Sequence, residues 1–440
     1  MGEKILERTA SLCPVCLTRL PAQIVAREHR VYLEKICPEH GAFSRLIWQD
    51  EDGYLAWLRQ GGEAQAGPWE RPALWGCPFD CGICQAHLQD ACCVLLELTG
   101  DCDQHCPYCY AASGEGADPP PDLSQITSML DFLLQRSQGR QPYNLQLSGG
   151  EPTLRRDLPQ IIALARDKGF PYVQLNTNGK RLAGEARYAE TLAAAGLSAV
   201  FLQFDGLDDQ VYQTLRGEKL LDIKMAALAA CRRAKLPVVL AFTAVSGVNM
   251  EQIGPCFFLM LENLPHIRGL HLQPVCYSGR HPGLAAGPTL DECMRQLTAQ
   301  SRGLLRREHF SPLATAHPLC AFQGSFIYDG QKVVSVGSGG CCGGMDRSRR
   351  HLAVNWQSGH RDGAWCCSFP TWLDQRVQNG FSLSAMAFQD GLSLDLQRLR
   401  RCRVYVARPD RSLIPFCALN LTASQGKTLY SRKKDCDSIF

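Results

Sequence analysis

The sequence lacks long apolar runs and strong net charge. No stretch of about 18 consecutive apolar residues occurs, so no transmembrane helix is predicted. Residues 1–5 lack the apolar core of a secretion signal. The formal net charge of +3 is too small to indicate a nucleic-acid-binding surface. We therefore expect a cytoplasmic protein without a nucleic-acid partner, and peripheral attachment to a membrane stays open.

Cysteine is the residue in excess, with 23 in 440 positions, many of them in pairs and triplets. In a reducing compartment such groups bind metals rather than forming disulfides. Because oxygen attacks exposed iron clusters, we expect an anaerobic or microaerobic host. A chain of this length divides into several domains. The cysteine groups indicate boundaries that give residues 1–62, 63–93, 94–307 and 308–440.

Residues 1–62 contain two cysteine-rich turns. Cys13 and Cys16 are followed, after 20 intervening residues, by Cys37 and His40, a spacing typical of ribbon-type metal sites. A tetrahedral set of three cysteines and one histidine would hold one mononuclear zinc or iron and stabilise a segment whose own core is small. The sequence therefore predicts a rubredoxin-like or zinc-ribbon-like domain, against the alternative of four unrelated buried side chains.

Residues 63–93 contain a C-x3-C-x2-C group made of Cys77, Cys81 and Cys84. Three thiolates on one short loop can bind separate irons of a cubane cluster. We therefore predict an auxiliary [4Fe-4S] cluster in this segment. The alternatives for a fourth ligand, among which the sequence does not choose, are His87, Cys92 and Cys93. A cysteine just before a strand is equally well explained as a small buried side chain.

The same spacing recurs at Cys102, Cys106 and Cys109, directly after the apolar run 94–99. Three local thiolates leave one iron of a cubane without a cysteine ligand. That iron either takes a ligand from far along the chain or binds a small molecule. The motifs that follow favour the small molecule.

Residues 94–307 alternate apolar runs with helical patterns. The predicted strands are 94–99, 144–148, 172–176, 199–204, 237–245 and 269–275. The predicted helices are 123–135, 158–168, 183–195, 220–235 and 250–264. This alternation indicates a parallel sheet with right-handed crossovers, either curled into a barrel or doubly wound. In both arrangements the active centre lies at the carboxyl ends of the strands.

Polar motifs follow two of these strands. Gly149, Gly150 and Glu151 come after the second strand, where glycines let the backbone approach a ligand closely and a carboxylate can bind an ammonium group. Asn176 and Asn178 mark the end of the third strand. Turn formation explains each motif equally well on its own. Their place beside the three-cysteine loop is what makes them specific.

Residues 308–440 are rich in proline, glycine and cysteine, and the helical alternation stops there. We predict that Cys320, Cys402 and Cys417 converge on a further cluster, with Cys342, or its neighbour Cys341, as the fourth ligand. The alternative is that these cysteines are inert buried thiols. For the remaining cysteines of this segment, inert burial explains the sequence as well as cluster binding does.

The loop 102–109, with Tyr108 before its last cysteine, and the segment 149–151 together resemble the motifs of radical S-adenosylmethionine (SAM) enzymes. The resemblance implies that the loop cysteines bind a catalytic [4Fe-4S] cluster and that 149–151 bind the amino group of SAM. It further implies that Asn176 and Asn178 line SAM, and that Arg216 pairs the SAM carboxylate.

Stretches at 77–87, 381–390 and 414–422 resemble one branch of these enzymes, which contains archaeal tetraether lipid synthase and relatives once described as pterin methylases. The branch implies an α/β fold, with a partial (β/α)6 radical SAM barrel between the N-terminal metal ribbon and a C-terminal iron-sulfur domain. The implied cofactors are SAM, one SAM-binding cluster, one or two auxiliary clusters and one mononuclear iron or zinc. A reducing donor such as ferredoxin or flavodoxin is implied as partner.

The function implied by this branch is reductive cleavage of SAM, with the 5′-deoxyadenosyl radical used for carbon–carbon coupling or alkylation at unactivated carbon. Lipid chains are the most specific substrate that this branch implies. A pterin or another small molecule to be methylated is the alternative. A lipid route predicts an apolar tunnel, whereas a pterin route predicts a short polar pocket. A non-catalytic electron carrier is the alternative outside enzymes, disfavoured because a carrier has no use for a SAM motif.

Overall fold

Two sheets organise the chain. A computed structural model describes residues 3–64, 72–114, 119–283, 287–313, 316–336 and 378–430. The first sheet is small and antiparallel, and the second is large and mostly parallel. None of the helices in these ranges combines the length and apolar character needed to cross a bilayer.

The small sheet is a four-stranded meander. Its strands are β1 (Lys4–Leu12), β2 (Arg19–Arg27), β3 (Arg30–Cys37) and β4 (Gly41–Trp48), and helix α1 (Glu51–Leu58) follows. Antiparallel pairing in chain order puts the β1–β2 turn and the β3–β4 turn at the same end of the sheet. The two cysteine-rich turns are therefore neighbours. The core at the opposite end of the sheet is built from Trp48, Tyr54 and Trp57, each at most 1% exposed.

The large sheet is centred on six parallel strands that pair in chain order. They are β5 (Cys93–Glu97), β6 (Asn144–Ser148), β7 (Val173–Thr177), β8 (Ala199–Gln203), β9 (Val238–Ala244) and β10 (Ile267–Pro274). All six lie where the sequence predicts strands, so the α/β fold class is confirmed. The leucines at alternate positions of these strands face the helices and form the main core with them.

Helices connect these strands, as predicted. They are α2 (Leu123–Ser137), α3 (Leu158–Asp167), α4 (Lys180–Gly184), α5 (Tyr188–Ala194), α6 (Asp209–Arg216), α7 (Leu221–Arg233), α8 (Ile253–Glu262) and α9 (Leu290–Gln300). The prediction of a single helix over 183–195 is wrong. The structure has two helices there, and the first begins at Lys180. Helix α4 ends at Gly184, and Arg187 adopts a left-handed conformation with φ of 61° before α5 begins.

The segment after residue 307 extends the same sheet on both edges. Its elements are β11 (Ser311–Pro312), β12 (Ala321–Tyr328), β13 (Val333–Ser335), β14 (Gly380–Met386), α10 (Leu396–Arg400), β15 (Val404–Ala407), β16 (Leu413–Pro415) and α11 (Phe416–Asn420). Strand β14 pairs in parallel with β10, and β15 pairs in parallel with β5. C-terminal residues are thereby brought to the edge strand that leads into the three-cysteine loop.

Candidate functional site

The loop after β5, with Cys102, Cys106 and Cys109, lies against the end of β6. Gly150 N donates to Thr99 O at 2.7 Å, and Glu151 N donates to Asp101 O at 2.8 Å. A Cβ atom on Gly150 would lie 2.1 Å from Asp101 O. Gly149 has a φ of +128°, which side chains rarely adopt. The two glycines are therefore required where β6 meets the cysteine loop, and their close approach to a ligand stays a prediction.

The three thiols of this loop are suited to metal binding. Burial raises the pKa of Cys102 to about 12 and also raises the pKa of Cys106. A buried free thiolate is unfavourable, whereas a bound metal deprotonates a thiol outright. Arg280 holds the loop from the far side, since its Nε donates to Cys106 O at 2.8 Å and its backbone pairs with Cys109. The donor set therefore fits a cluster, and nothing in the sequence pointed to Arg280.

Glu151 has partners within the protein. Its Oε1 accepts hydrogen bonds from Thr153 N at 3.0 Å, from the Thr153 hydroxyl at 2.6 Å and from the Thr177 hydroxyl at 2.8 Å. Its Oε2 accepts from Asn178 N at 2.7 Å. The carboxylate therefore ties the end of β6 to the end of β7, a role that the sequence did not predict. Binding of the SAM amino group stays a prediction, for which Oε2 is the less occupied oxygen.

Asn178 reaches the cysteine loop. Its Nδ2 donates to Asp103 Oδ1 at 2.7 Å, and its backbone oxygen accepts from the buried Lys224 Nζ at 2.6 Å. Lys224 also donates to Gln203 Oε1 at 3.0 Å, and burial lowers its pKa to about 8. This lysine comes from α7 and supports two strand ends at once. A lysine within a helix carries no sequence signal for such a role.

Arg216 is anchored by Asp205 in a buried bidentate ion pair. Nε donates to Oδ2 at 2.7 Å and Nη2 donates to Oδ1 at 2.9 Å. Nη2 also donates to the Thr243 hydroxyl at 2.8 Å, and Nη1 donates to Tyr108 O at 3.3 Å. The guanidinium also interacts with the Cys106 thiol. Arg216 thus supports the cysteine loop, and its pairing with a SAM carboxylate stays a prediction.

The sheet face opposite the helices, which we call the inner face, carries a network of polar side chains beside an apolar patch of Tyr172, Ala199, Phe201 and Val239. Gln174 Nε2 donates to Asn176 Oδ1 at 2.7 Å, and Asn176 Nδ2 donates to Gln146 Oε1 at 3.2 Å. Asn176 therefore belongs to this network, whereas Asn178 contacts the loop. Across the face, His271 Nδ1 lies 2.8 Å from the Ser384 hydroxyl. Burial lowers the pKa of His271 to about 4, so the imidazole is neutral at pH 7.

The N-terminal turns bring together the predicted mononuclear set. The ligand atoms of Cys13, Cys16, Cys37 and His40 all lie within 4.8 Å of one another. His40 Nδ1 is 3.4 Å from Cys37 Sγ and 3.7 Å from Cys13 Sγ. A hydrogen bond with the Thr18 hydroxyl is the largest contribution that lowers the pKa of Cys16, to about 6. Thiols and imidazole at this separation fit one tetrahedral ion.

The second cysteine group has a preformed loop. The backbone N atoms of Trp75 and Gly76 donate to Asp80 Oδ2 at 2.6 and 2.5 Å, and Cys81 N donates to the Tyr430 hydroxyl oxygen at 2.9 Å. A hydrogen bond with the Cys77 thiol, with burial second, raises the pKa of Cys81. Cys84 lies buried on the same loop. A cluster on these thiols stays a prediction.

The fourth ligand of this group stays open among His87, Cys92 and Cys93. His87 Nε2 lies 3.1 Å from Cys402 O and also contacts the Tyr405 hydroxyl. Burial lowers the pKa of His87 to about 4, and those contacts engage Nε2, one of the two ring nitrogens that can bind a metal. Cys92 and Cys93 are both buried, at 6% and 4% exposure.

Cys320, Cys402 and Cys417, which the sequence predicts to converge on a cluster, lie close enough to interact electrostatically with one another. Cys320 O accepts from Ala387 N at 2.8 Å, and Gln389 N donates to Cys417 Sγ at 3.3 Å, so both cysteines lie along 387–389. Burial raises the pKa of Cys402 to about 12, and the nearby Cys320 thiol adds to the rise. Cys341 and Cys342 lie outside the described residues. The cluster itself stays a prediction.

Comparison with known proteins identifies the class. Residues 96–259 match the Radical SAM superfamily, and residues 5–49 match the HMPTM N-terminal zinc ribbon domain. Residues 96–259 are therefore a radical SAM domain, a class whose members bind a [4Fe-4S] cluster and cleave SAM, and residues 5–49 resemble a zinc ribbon.

Individual relatives refine this picture. The 7,8-dihydro-6-hydroxymethylpterin dimethyltransferase of Methanocaldococcus jannaschii is 29% identical, with 94% of this chain and 93% of that protein aligned. The Fe-coproporphyrin III synthase of Methanosarcina barkeri is 32% identical over 42% of this chain and 45% of its own length. Among solved structures, Streptococcus suis SuiB bound to its precursor peptide SuiA gives a TM-score of 0.43 at 16% identity, over 50% of this chain and 48% of that one.

Proposed function

We propose that the chain is a radical SAM enzyme that alkylates a small polar heterocycle of the pterin type. The observation that carries this proposal is the polar chemistry of the inner face. Amide and hydroxyl side chains lie on it at alternate strand positions, and the neutral His271 lies among them. A pterin offers ring nitrogens, an amino group and a carbonyl, which pair with such groups.

The amide side chains that β6 and β7 place on the inner face supply directional hydrogen bonding. The amides of Gln146, Gln174 and Asn176 orient one another through their chain of hydrogen bonds, so their remaining donors and acceptors have fixed directions. Ser384 orients the His271 ring in the same way. A buried polar face of this kind costs free energy unless a ligand or water satisfies it. An acyl chain would leave those groups unsatisfied, so a polar substrate is favoured over a lipid chain.

The cluster on Cys102, Cys106 and Cys109, with SAM bound, would supply a carbon radical able to take hydrogen from unactivated carbon. The protein's own side chains hold the loop in place: Arg280 and Arg216 bind its backbone oxygens, and Asn178 binds Asp103. Glu151 fixes the neighbouring strand ends. These contacts fix the geometry of the loop, as a radical reaction requires.

The similarity to the Methanocaldococcus jannaschii dimethyltransferase supports the same substrate class, because it extends over 94% of this chain. The alignment therefore extends well beyond the radical SAM domain at residues 96–259. The carbon–carbon coupling of lipid chains is the leading candidate from the sequence, and it becomes the second candidate here because the polar network on the inner face does not favour it.

The test is an anaerobic assay of the reconstituted protein with dithionite and SAM. We expect 5′-deoxyadenosine, and a mass increase of the pterin when 7,8-dihydro-6-hydroxymethylpterin is added. His271→Phe should reduce the pterin product while leaving some SAM cleavage, because it lies away from the cysteine loop. Alkylation of added lipid but not of pterin would contradict the proposed substrate. Absence of any 5′-deoxyadenosine would favour the electron carrier.

A further inference from the structure

Arg398 is a buried cation beside the C-terminal cysteines. It lies on α10 and is 6% exposed. Its Nη2 donates to Ala387 O at 3.1 Å and lies 3.8 Å from Cys320 Sγ. Its Nε is buried without a hydrogen-bond partner among the described residues. The guanidinium is therefore held against the thiols with part of its donor capacity unused.

Arg398 forms no ion pair with a carboxylate in the part of the chain that the structure describes, since no carboxylate oxygen there lies within 4.0 Å of its nitrogens. Asp395, on the same turn of chain, accepts through Oδ1 from the Thr9 hydroxyl at 2.6 Å and from Gln397 N at 2.9 Å. Burial alone would lower the pKa of Arg398, but the thiol of Cys320, with smaller contributions from Asp395 and Cys417, raises it instead. A guanidinium buried this deeply needs a counter-charge, and metal-bound thiolates supply one.

We propose that Arg398 sets the reduction potential of the cluster that Cys320, Cys402 and Cys417 would hold. The inference rests on that cluster assignment and goes beyond the proposed pterin chemistry. Reduction adds one negative charge to a cluster, so a fixed cation next to its sulfurs stabilises the reduced form. Removing the cation makes the cluster harder to reduce, and its potential becomes more negative.

The neighbouring arginines donate hydrogen bonds to other parts of the chain. Arg400, on the same helix, donates from Nε to Ala86 O at 2.7 Å, and among the described cysteines none accepts a hydrogen bond from it. Arg401 donates from Nη2 to Gly62 O at 2.6 Å. Arg398 alone among these three donates towards a cysteine sulfur within 4.0 Å in the part of the chain that the structure describes. Arg400 is therefore the matched control for loss of one positive charge from this helix.

The experiment is a redox titration followed by electron paramagnetic resonance on full-length, anaerobically reconstituted protein. Cys81→Ala and Cys106→Ala are combined as the background, so that the C-terminal cluster dominates the signal. Arg398→Met, Arg398→Lys and Arg400→Met are added singly, and iron content is measured for each. We expect a shift to more negative potential for Arg398→Met, a smaller shift for Arg398→Lys, and the background potential for Arg400→Met.

An unchanged potential in Arg398→Met at full iron content would overturn the proposal, and so would an equal shift in Arg400→Met. If Arg398→Met fails to retain iron, the lysine variant decides, because it keeps a charge but changes its distance from the sulfurs. A background protein without any third cluster would overturn the cluster assignment together with this role. The pterin assay on the unaltered chain reports the proposed function separately.

Discussion

The carboxylate of Asp205 and the guanidinium of Arg216 form a bidentate ion pair, at 2.7 and 2.9 Å, that is buried beside the cysteine loop. The carboxylate lies just beyond β8, and the arginine ends α6. The guanidinium also donates to Tyr108 O. This ion pair therefore connects the end of β8 and α6 to the loop that would hold the catalytic cluster.

Asp205→Asn should destabilise the fold, because it leaves the Arg216 charge buried without its partner. Removing one member of such a pair costs about 3–5 kcal/mol. The measurement is the free energy of unfolding in urea, at matched iron content. Glu185→Gln is the control, since its ion pair with Arg181 is 50% exposed on the carboxylate side and is worth about 0.3–0.5 kcal/mol. Equal losses in the two variants would contradict the role given to the buried pair.

Gly150→Ala should displace the cysteine loop. The new Cβ would lie 2.1 Å from Asp101 O, a backbone atom that cannot move without moving the loop. We expect loss of the SAM-binding cluster and of 5′-deoxyadenosine formation, measured by iron content and by product analysis. Gly184→Ala is the matched control, since nothing lies within 4 Å of its Cβ position in α4. If Gly150→Ala kept normal SAM cleavage, the close packing of β6 on the loop would not matter for function.

Much of the fold around the cysteine loop could be predicted from local sequence. Strand β6 occupies the predicted residues 144–148, because its leucines alternate with polar residues and the run ends at glycines. The placement of Gly150 beside the cysteine loop follows from parallel pairing of β5 with β6. Each of these conclusions depends on residues close together in the chain.

The remaining features depend on long-range contacts that leave no local pattern. Strands β14 and β15 join opposite edges of one sheet, although 17 residues separate their nearest ends. Lys224 donates to Asn178 O from α7, a helix that follows the next strand of the sheet, β8. Glu151 was expected to bind a ligand amine, yet its partners lie on the neighbouring strand end, and spacing alone cannot tell these two roles apart.

Cys106→Ala should abolish SAM cleavage and leave the N-terminal metal in place. The cysteine lies on the loop after β5, whereas the N-terminal set is built entirely from the turns of the small sheet. Metal content and 5′-deoxyadenosine are the measurements. Cys256→Ala is the control, since Cys256 lies buried in α8 among apolar side chains. Retained SAM cleavage in Cys106→Ala would mean that another cysteine group binds SAM.

The buried His271 should make stability depend on pH. Burial lowers its pKa from 6.5 to about 4 in the folded chain, so the unfolded chain binds more protons between these values. Its contribution to stability is therefore complete above pH 6.5 and declines as the pH falls towards 4. The expected loss from this one group is about 1 kcal/mol by pH 5.5. The measurement is the free energy of unfolding in urea at pH 7.5 and pH 5.5.

His271→Gln should reduce the loss of stability between these two pH values, because glutamine can still reach Ser384 with a hydrogen bond but does not titrate. The buried His87 titrates in the same direction and keeps part of the dependence in the variant. His29, on the exposed turn between β2 and β3, gives the control substitution His29→Gln. If the two variants lost stability equally on acidification, His271 would not be neutral and buried on the inner face. That result would also remove the neutral imidazole on which the polar-substrate proposal relies.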